Sequence, residues 1–175
     1  FWASPVAGMF PETASSSESD YNHRMWYVTT PDFKTFSNPS VYFNPGFNVI
    51  DATLHRLPDG SAKLICKDER LQPERKNLFV CDARSPIGPF SEPREPFTKS
   101  WVEGPATLQL GDWTYVYFDV YREKRYAAMR TKDFLIWEDV SDEVSFPRGA
   151  RHGSILAVTR ERFEAILAAT EAAAR

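Results

Sequence analysis

Two stretches decide the fold. One is "DATLHRLPDGSAKLICKDERLQPERKNLFVCDARSPIGPFSE", Asp51 to Glu92. The other is "PATLQLGDWTYVYFDVYREKRYAAMRTKDFLIWED", Pro105 to Asp139. Both open on Ala-Thr-Leu, at Ala52 and Ala106, 54 positions apart. A turn follows in each: Pro58-Asp59-Gly60 in one, Gly111-Asp112 in the other. Next comes an apolar strand ending in an acid, "AKLICKD" or "TYVYFD". A charged connection leads to a third strand, "NLFVCDA" or "RYAAMR", and a short fourth segment, "GPFSE" or "FLIWED", closes the unit. Internal repetition at about 50 residues is the signature of radially repeated architectures.

The pattern extends in both directions. "HRMWYVTTPDFKTFSNP" lies out like "KRYAAMRTKDFLIWEDV", with Asp32-Phe33 against Asp133-Phe134. It reads as the third and fourth strands of an earlier unit, and "FWASP" as the tail of its second strand. Downstream, "HGSILAVT", His152 to Thr159, parallels "GPATLQL" and reads as the first strand of a last unit. The chain then turns helical in "RERFEAILAATEAAAR". Thr159 is the expected N-cap, and Phe163, Ile166 and Leu167 share one face, expected to pack as a cap.

Four short antiparallel strands per unit predict an all-β fold, a β-propeller of which about three blades are present, with a short C-terminal helix. The expected division is 1–45 remainder of one blade, 46–99 a blade, 100–145 a blade, 146–159 the strand of the last, and 160–175 the helix. The competing β-sandwich would not repeat as a four-part unit. A propeller closes to hide its edges, so the expectation is that a first blade and part of a second are missing. Composition agrees with short strands: aromatics are 14% and there are 13 prolines. A net charge of -3 gives no broad basic face, so nucleic acid is not an expected partner. No apolar run reaches the ~20 residues of a membrane helix, and the sequence assigns no compartment. Cys66 and Cys81 lie in apolar runs and read as buried thiols.

In a propeller the first strand of each blade lines the axis, so equivalent positions in successive blades converge. Asp51 begins one such strand, Glu103 precedes the next, and Arg151 and His152 precede the last. Asp51 aligns with Pro105, which puts Glu103 two residues earlier and on the same side of an extended chain. Two carboxylates, an arginine and a histidine are expected at one pocket. Such a set suits glycoside hydrolysis, which needs a proton donor at the leaving oxygen and a second carboxylate. Trp26 or Trp101 could stack on a sugar face, and Lys67 or Arg70 could contact one. Each has a plainer reading, in blade packing or as a solvated charge.

"NVIDATLHRLPDGSAKLICKDE", "WVEGPATLQLGDWTYVYFD" and "ARHGSILAV" resemble consecutive signatures of glycoside hydrolase family 43, and "ETASSSESDYNHRMWYVTTPDFKTFS" resembles its arabinosidase- or xylosidase-like members. The resemblance implies a five-bladed propeller and inverting hydrolysis of arabinosyl, xylosyl or galactofuranosyl linkages, with carbohydrate as partner. By the same resemblance Glu103 is the general acid and Asp51 the third carboxylate that orients it. Arg151 is then a substrate contact, and His152 the histidine that faces a bound calcium or its waters. No other cofactor is implied. The family's general base sits in an Arg-Asp-Pro-like context, and no such motif occurs here. Asp20 and Asp32 fall in contexts of later segments. Three functions stay open: a glycosidase completed by a segment absent here, a sugar-binding propeller without hydrolysis, and a fragment whose open blade edges pair with another copy.

Overall fold

The computed structural model describes residues 1–13, 21–147 and 149–173. Asp20 and the "ASSSESD" run lie outside them. Three antiparallel sheets follow one another along the chain. The first is β1 (Trp2–Ser4), β2 (Arg24–Tyr27) and β3 (Ser40–Phe43). The second is β4 (Val49–Arg56), β5 (Ala62–Asp68) and β6 (Leu78–Ala83). Its fourth segment runs alongside β6, with Ser91, Arg94 and Phe97 amides donating to the Asp82, Val80 and Leu78 carbonyls at 2.8, 3.0 and 3.1 Å. The third is β7 (Glu103–Leu110), β8 (Trp113–Val120), β9 (Arg125–Thr131) and β10 (Glu138–Asp139). Among the described residues the sheets thus hold three, three and four strands in chain order.

Alternation along each strand builds the core between sheets, because successive side chains point to opposite faces. Leu64, Cys66, Phe79 and Cys81 of the second sheet meet Met25, Tyr42 and Phe43 of the first. Ile65, Leu78 and Val80, on its other face, meet Val116, Phe118, Ala127 and Phe134 of the third. Burying each larger side chain stabilises by about 1.5–3 kcal/mol. Both cysteines are free and buried, as expected.

The register corrects the sequence alignment by one residue. Ile50 pairs with Lys67 and Thr53 with Ile65, with a bulge between. Glu103 pairs with Asp119 and Ala106 with Tyr117, with a bulge at the same place. Structurally, therefore, Ile50 corresponds to Glu103, Asp51 to Gly104 and Lys67 to Asp119. Asp51 and Gly104 also share the left-handed backbone, at φ +50° and +59°. The Ala-Thr-Leu match is 54 apart, whereas the first strands correspond at 53. A slip of one turns a side chain to the opposite face, and the bulge turns Asp51 back.

The end of the chain also differs from expectation. Residues 153–159 form no strand, and Leu156 is 81% exposed. A first strand needs a second strand to pair with, and here the chain goes directly into α1 (Arg160–Ala173). Thr159 caps that helix, its Oγ1 accepting from the Arg162 amide at 3.3 Å. No described side chain of the helix is buried. Phe163, Ile166 and Leu167 stay exposed, so the expected packing cap does not form.

Candidate functional site

Glu103 stands at the first position of β7, two residues after Trp101, whose left-handed φ of +69° turns the chain into the strand. Asp51 occupies the β4 bulge. The amide of Gly104 donates to Asp51 Oδ2 at 3.1 Å, tying the two inner strands together. His152, itself at φ +43°, places Nε2 3.0 Å from Asp51 Oδ2 and Nδ1 3.6 Å from Glu103 Oε1. Arg151 donates Nε–H to Asp119 Oδ2, and its Nη2 lies 3.7 Å from Glu103 Oε1. A left-handed non-glycine residue costs of order 1–3 kcal/mol and persists where the surroundings over-determine it. Two of the chain's left-handed residues are Asp51 and His152. The structure thus brings Glu103, Asp51, Arg151 and His152 together. Gly104 belongs to the same construction: a Cβ there would lie 2.8 Å from the His152 ring.

The other side of the cluster holds Lys67, offered by the sequence as a sugar contact but bound here to carboxylates, and two residues that sequence reasoning missed, Glu69 and Asp119. Lys67, fully buried at the end of β5, donates to Glu103 Oε2 at 3.0 Å and pairs with Glu69 Oε2 at 2.9 Å. Its ammonium lies 4.9 Å from the Tyr121 ring centre. Glu69 also accepts from Lys76 and from the Tyr21 hydroxyl. Burial alone would lower the Lys67 pKa; the bonds and charges of Glu69 and then Glu103 outweigh it and hold it above its ordinary value. Burial likewise pushes Glu69 up, but Lys76, Tyr21 and Lys67 more than offset this and hold it below the usual carboxylate range. Asp119, also fully buried, sits where Lys67 sits in the preceding blade. The available signal was that both second strands end in charge, "KD" and "FD".

Two expected residues do not join the cluster. The Trp26 ring is buried in the first sheet and donates Nε1–H to the Ser4 carbonyl at 3.1 Å. Arg70 is held by Asp68 through Nε (3.0 and 3.1 Å) and Nη2 (2.5 Å), with its guanidinium 3.9 Å from the Phe47 ring centre. Trp101 donates to Glu74 Oε1 at 3.1 Å, and Arg122 covers one face of its ring at 3.0 Å. Asp32 serves its turn: amide donors, Thr35 first and then Lys34, hold its carboxylate below the ordinary range.

Asp51, Glu103 and His152 have ligand atoms within 4.8 Å of one another. Calcium takes six to eight oxygens. This set offers two carboxylates and one imidazole, and the imidazole lies between the carboxylates with a nitrogen turned to each. That arrangement fits calcium poorly, and no step below runs through a metal. The same distance bears on the chemistry. Inverting acid–base pairs stand about 6.5–9.5 Å apart to admit a water. Ligand oxygens of Asp51 and Glu103 lie closer together than that.

A family described as a probable glycosyl hydrolase domain, related to glycosyl hydrolase family 43, matches residues 1–164. No curated protein sequence matches. Among solved structures, a thermostable family-43 glycoside hydrolase is similar at TM-score 0.52 and 12% identity, over 77% of this chain and 57% of that one. An exo-β-1,3-galactanase from Phanerochaete chrysosporium follows at TM-score 0.49 and 10% identity, over 78% of this chain and 38% of that one. The chain therefore spans little more than half the length of the first of these. The likeness to it is one of fold, and the three sheets are a partial propeller of that kind.

Proposed function

Because the chain belongs to the glycosyl hydrolase 43-related family, we propose that it carries the acid side of a glycosidase site, with Glu103 as proton donor. The observation behind this is the state of Glu103. One carboxylate oxygen, Oε2, is held by Lys67 at 3.0 Å. The other, Oε1, has His152 and Arg151 at 3.6 and 3.7 Å, longer than a hydrogen bond, and is left for a ligand. In the reacting form Glu103 carries a proton on Oε1; it passes to the glycosidic oxygen as the bond to the anomeric carbon breaks, and leaves the carboxylate that Lys67 holds. Asp51, braced by the Gly104 amide and His152, fixes the pocket beside it. Arg151 faces the substrate. Water attacks the opposite side of the sugar, giving its proton to a base that these residues do not include. The proposed substrates are arabinosyl, xylosyl or galactofuranosyl linkages.

The test is hydrolysis by the chain alone. Unactivated arabino- and xylo-oligosaccharides are expected to be cleaved very slowly. Azide, a nucleophile that needs no base, is expected to raise the rate and yield a glycosyl azide. Glu103→Gln should remove that gain. Turnover at ordinary glycosidase rates without azide would show a base within the chain. An azide product unaffected by Glu103→Gln would remove Glu103 from the role.

A further inference from the structure

The carboxylate of Glu103 is held from the second sheet, not from its own. Residues 69–77 join β5 to β6 and form a shelf beside the entry to β7. Val102, one residue before Glu103, donates its amide to the Lys76 carbonyl at 3.1 Å. Trp101, one residue earlier, donates to Glu74. Glu69 and Lys76 are both buried on this shelf. The Lys76 ammonium and the Tyr21 hydroxyl bond to Glu69 Oε1. Glu69 Oε2 stands 2.9 Å from the Lys67 ammonium, and Lys67 donates to Glu103 Oε2 at 3.0 Å. Four charges thus alternate, Lys76, Glu69, Lys67 and Glu103, and the first three are buried. Burial works against the charges of Lys67 and Glu69, and their pairing overcomes it, so both stay ionised.

This arrangement limits what Lys67 can do. An ammonium has three donors. Here two carboxylates and the face of the Tyr121 ring surround it, and the side chain is 2% exposed. Its place is therefore behind the acid and not against a sugar. As a proton leaves Glu103, negative charge grows there, and Lys67 already stands against it. Stabilisation of that kind is realised in the transition state and needs the charge fixed beforehand. Glu69 does the fixing. It is the second carboxylate on Lys67, and Lys76 and Tyr21 hold it in turn. Building on Glu103 as proton donor, we propose that Glu69 is a positioning residue for that step. Through Lys67 it keeps Glu103 Oε2 as the held oxygen and Oε1 as the oxygen that delivers the proton.

Leaving groups that differ in their need for a proton separate positioning from general damage. A dinitrophenolate leaves without a proton, whereas a phenolate calls for one. With azide as nucleophile, the rate ratio of phenyl to dinitrophenyl glycosides of arabinofuranose, xylose or galactofuranose therefore reads the acid alone. Glu69→Gln is expected to lower that ratio by about tenfold or more, since a misplaced group costs up to about 100-fold. Glu69→Asp keeps the charge and shortens the reach, and is expected between wild type and Glu69→Gln. Near-ultraviolet dichroism checks the fold of each variant, and Glu69→Asp alone carries the test where Glu69→Gln does not fold. Equal loss on both glycosides would make Glu69 a structural residue only and overturn the proposal. A ratio that falls in Glu103→Gln but in neither Glu69 variant overturns it while leaving Glu103 as donor. A ratio unmoved by Glu103→Gln, or no azide-dependent turnover of any of these glycosides by the wild-type chain, overturns both.

Discussion

The β4–β5 and β7–β8 hairpins share a backbone and differ in chemistry. Both carry the bulge, a left-handed residue within it and a buried charge across from its start. In the first, those three places hold Ile50, Asp51 and Lys67; in the second, Glu103, Gly104 and Asp119. A carboxylate in one blade meets an ammonium from the other, and a side chain in one bulge meets the bare amide of the other. The repeat supplies convergence, and the departures from it supply the site. A glycine opposite Asp51 is required because His152 fills the space a side chain would take.

The comparison breaks hardest at Lys67. Lys67→Met would leave Glu69 and Glu103 facing each other without the charge between them. Removing one partner of a buried pair costs about 3–5 kcal/mol. For a chain of this size that lowers Tm by about 10 °C; a loss below a few degrees, read by calorimetry, would show the pair to be solvated. Gly104→Ala comes next. It puts a side chain at φ +59° and a carbon against the His152 ring, for about 1–3 kcal/mol. It should also erase sugar affinity, while Gly46→Ala, with nothing within 4 Å, should pay backbone strain only. Third is the acid limb. Glu69 binds its proton less readily folded than unfolded, so its contribution is present above its ordinary value of 4.5 and fades as pH falls through the lower folded value. Thermal melts from pH 6 downward should show that loss, and Glu69→Gln should flatten it while lowering stability at neutral pH. The smallest effect is expected from millimolar calcium, which should leave Tm unchanged; a rise would restore the ion to His152.

Much of the fold was legible because four-part repetition with punctuating turns admits few architectures. The Asp32–Phe33 and Asp133–Phe134 match was correct down to its hydrogen bonds. Glu103, Asp51, Arg151 and His152 were found as a group from their place before successive inner strands. What failed did so for physical reasons. Ala-Thr-Leu aligned at 54, but strand register follows pairing and bulges, which identity of three residues does not record. "HGSILAVT" has the composition of an inner strand, yet a strand exists only where a partner pairs with it. Trp26 looked available for a sugar because composition does not say which face of β2 it takes. Lys67 was read as a sugar contact or a solvated charge and Asp119 not at all, because their meaning lies across the axis, in Glu103 and Arg151.

The central claim is that these converging charges form a sugar pocket built on Glu103 and Asp51. Calorimetric titration of the chain with arabino-, xylo- and galacto-oligosaccharides tests it most directly. Binding at one site per chain is expected, abolished by Asp51→Ala and weakened at least tenfold, about 1.4 kcal/mol, by Glu103→Ala. Binding indifferent to both substitutions, or no binding by any of these sugars, would contradict it.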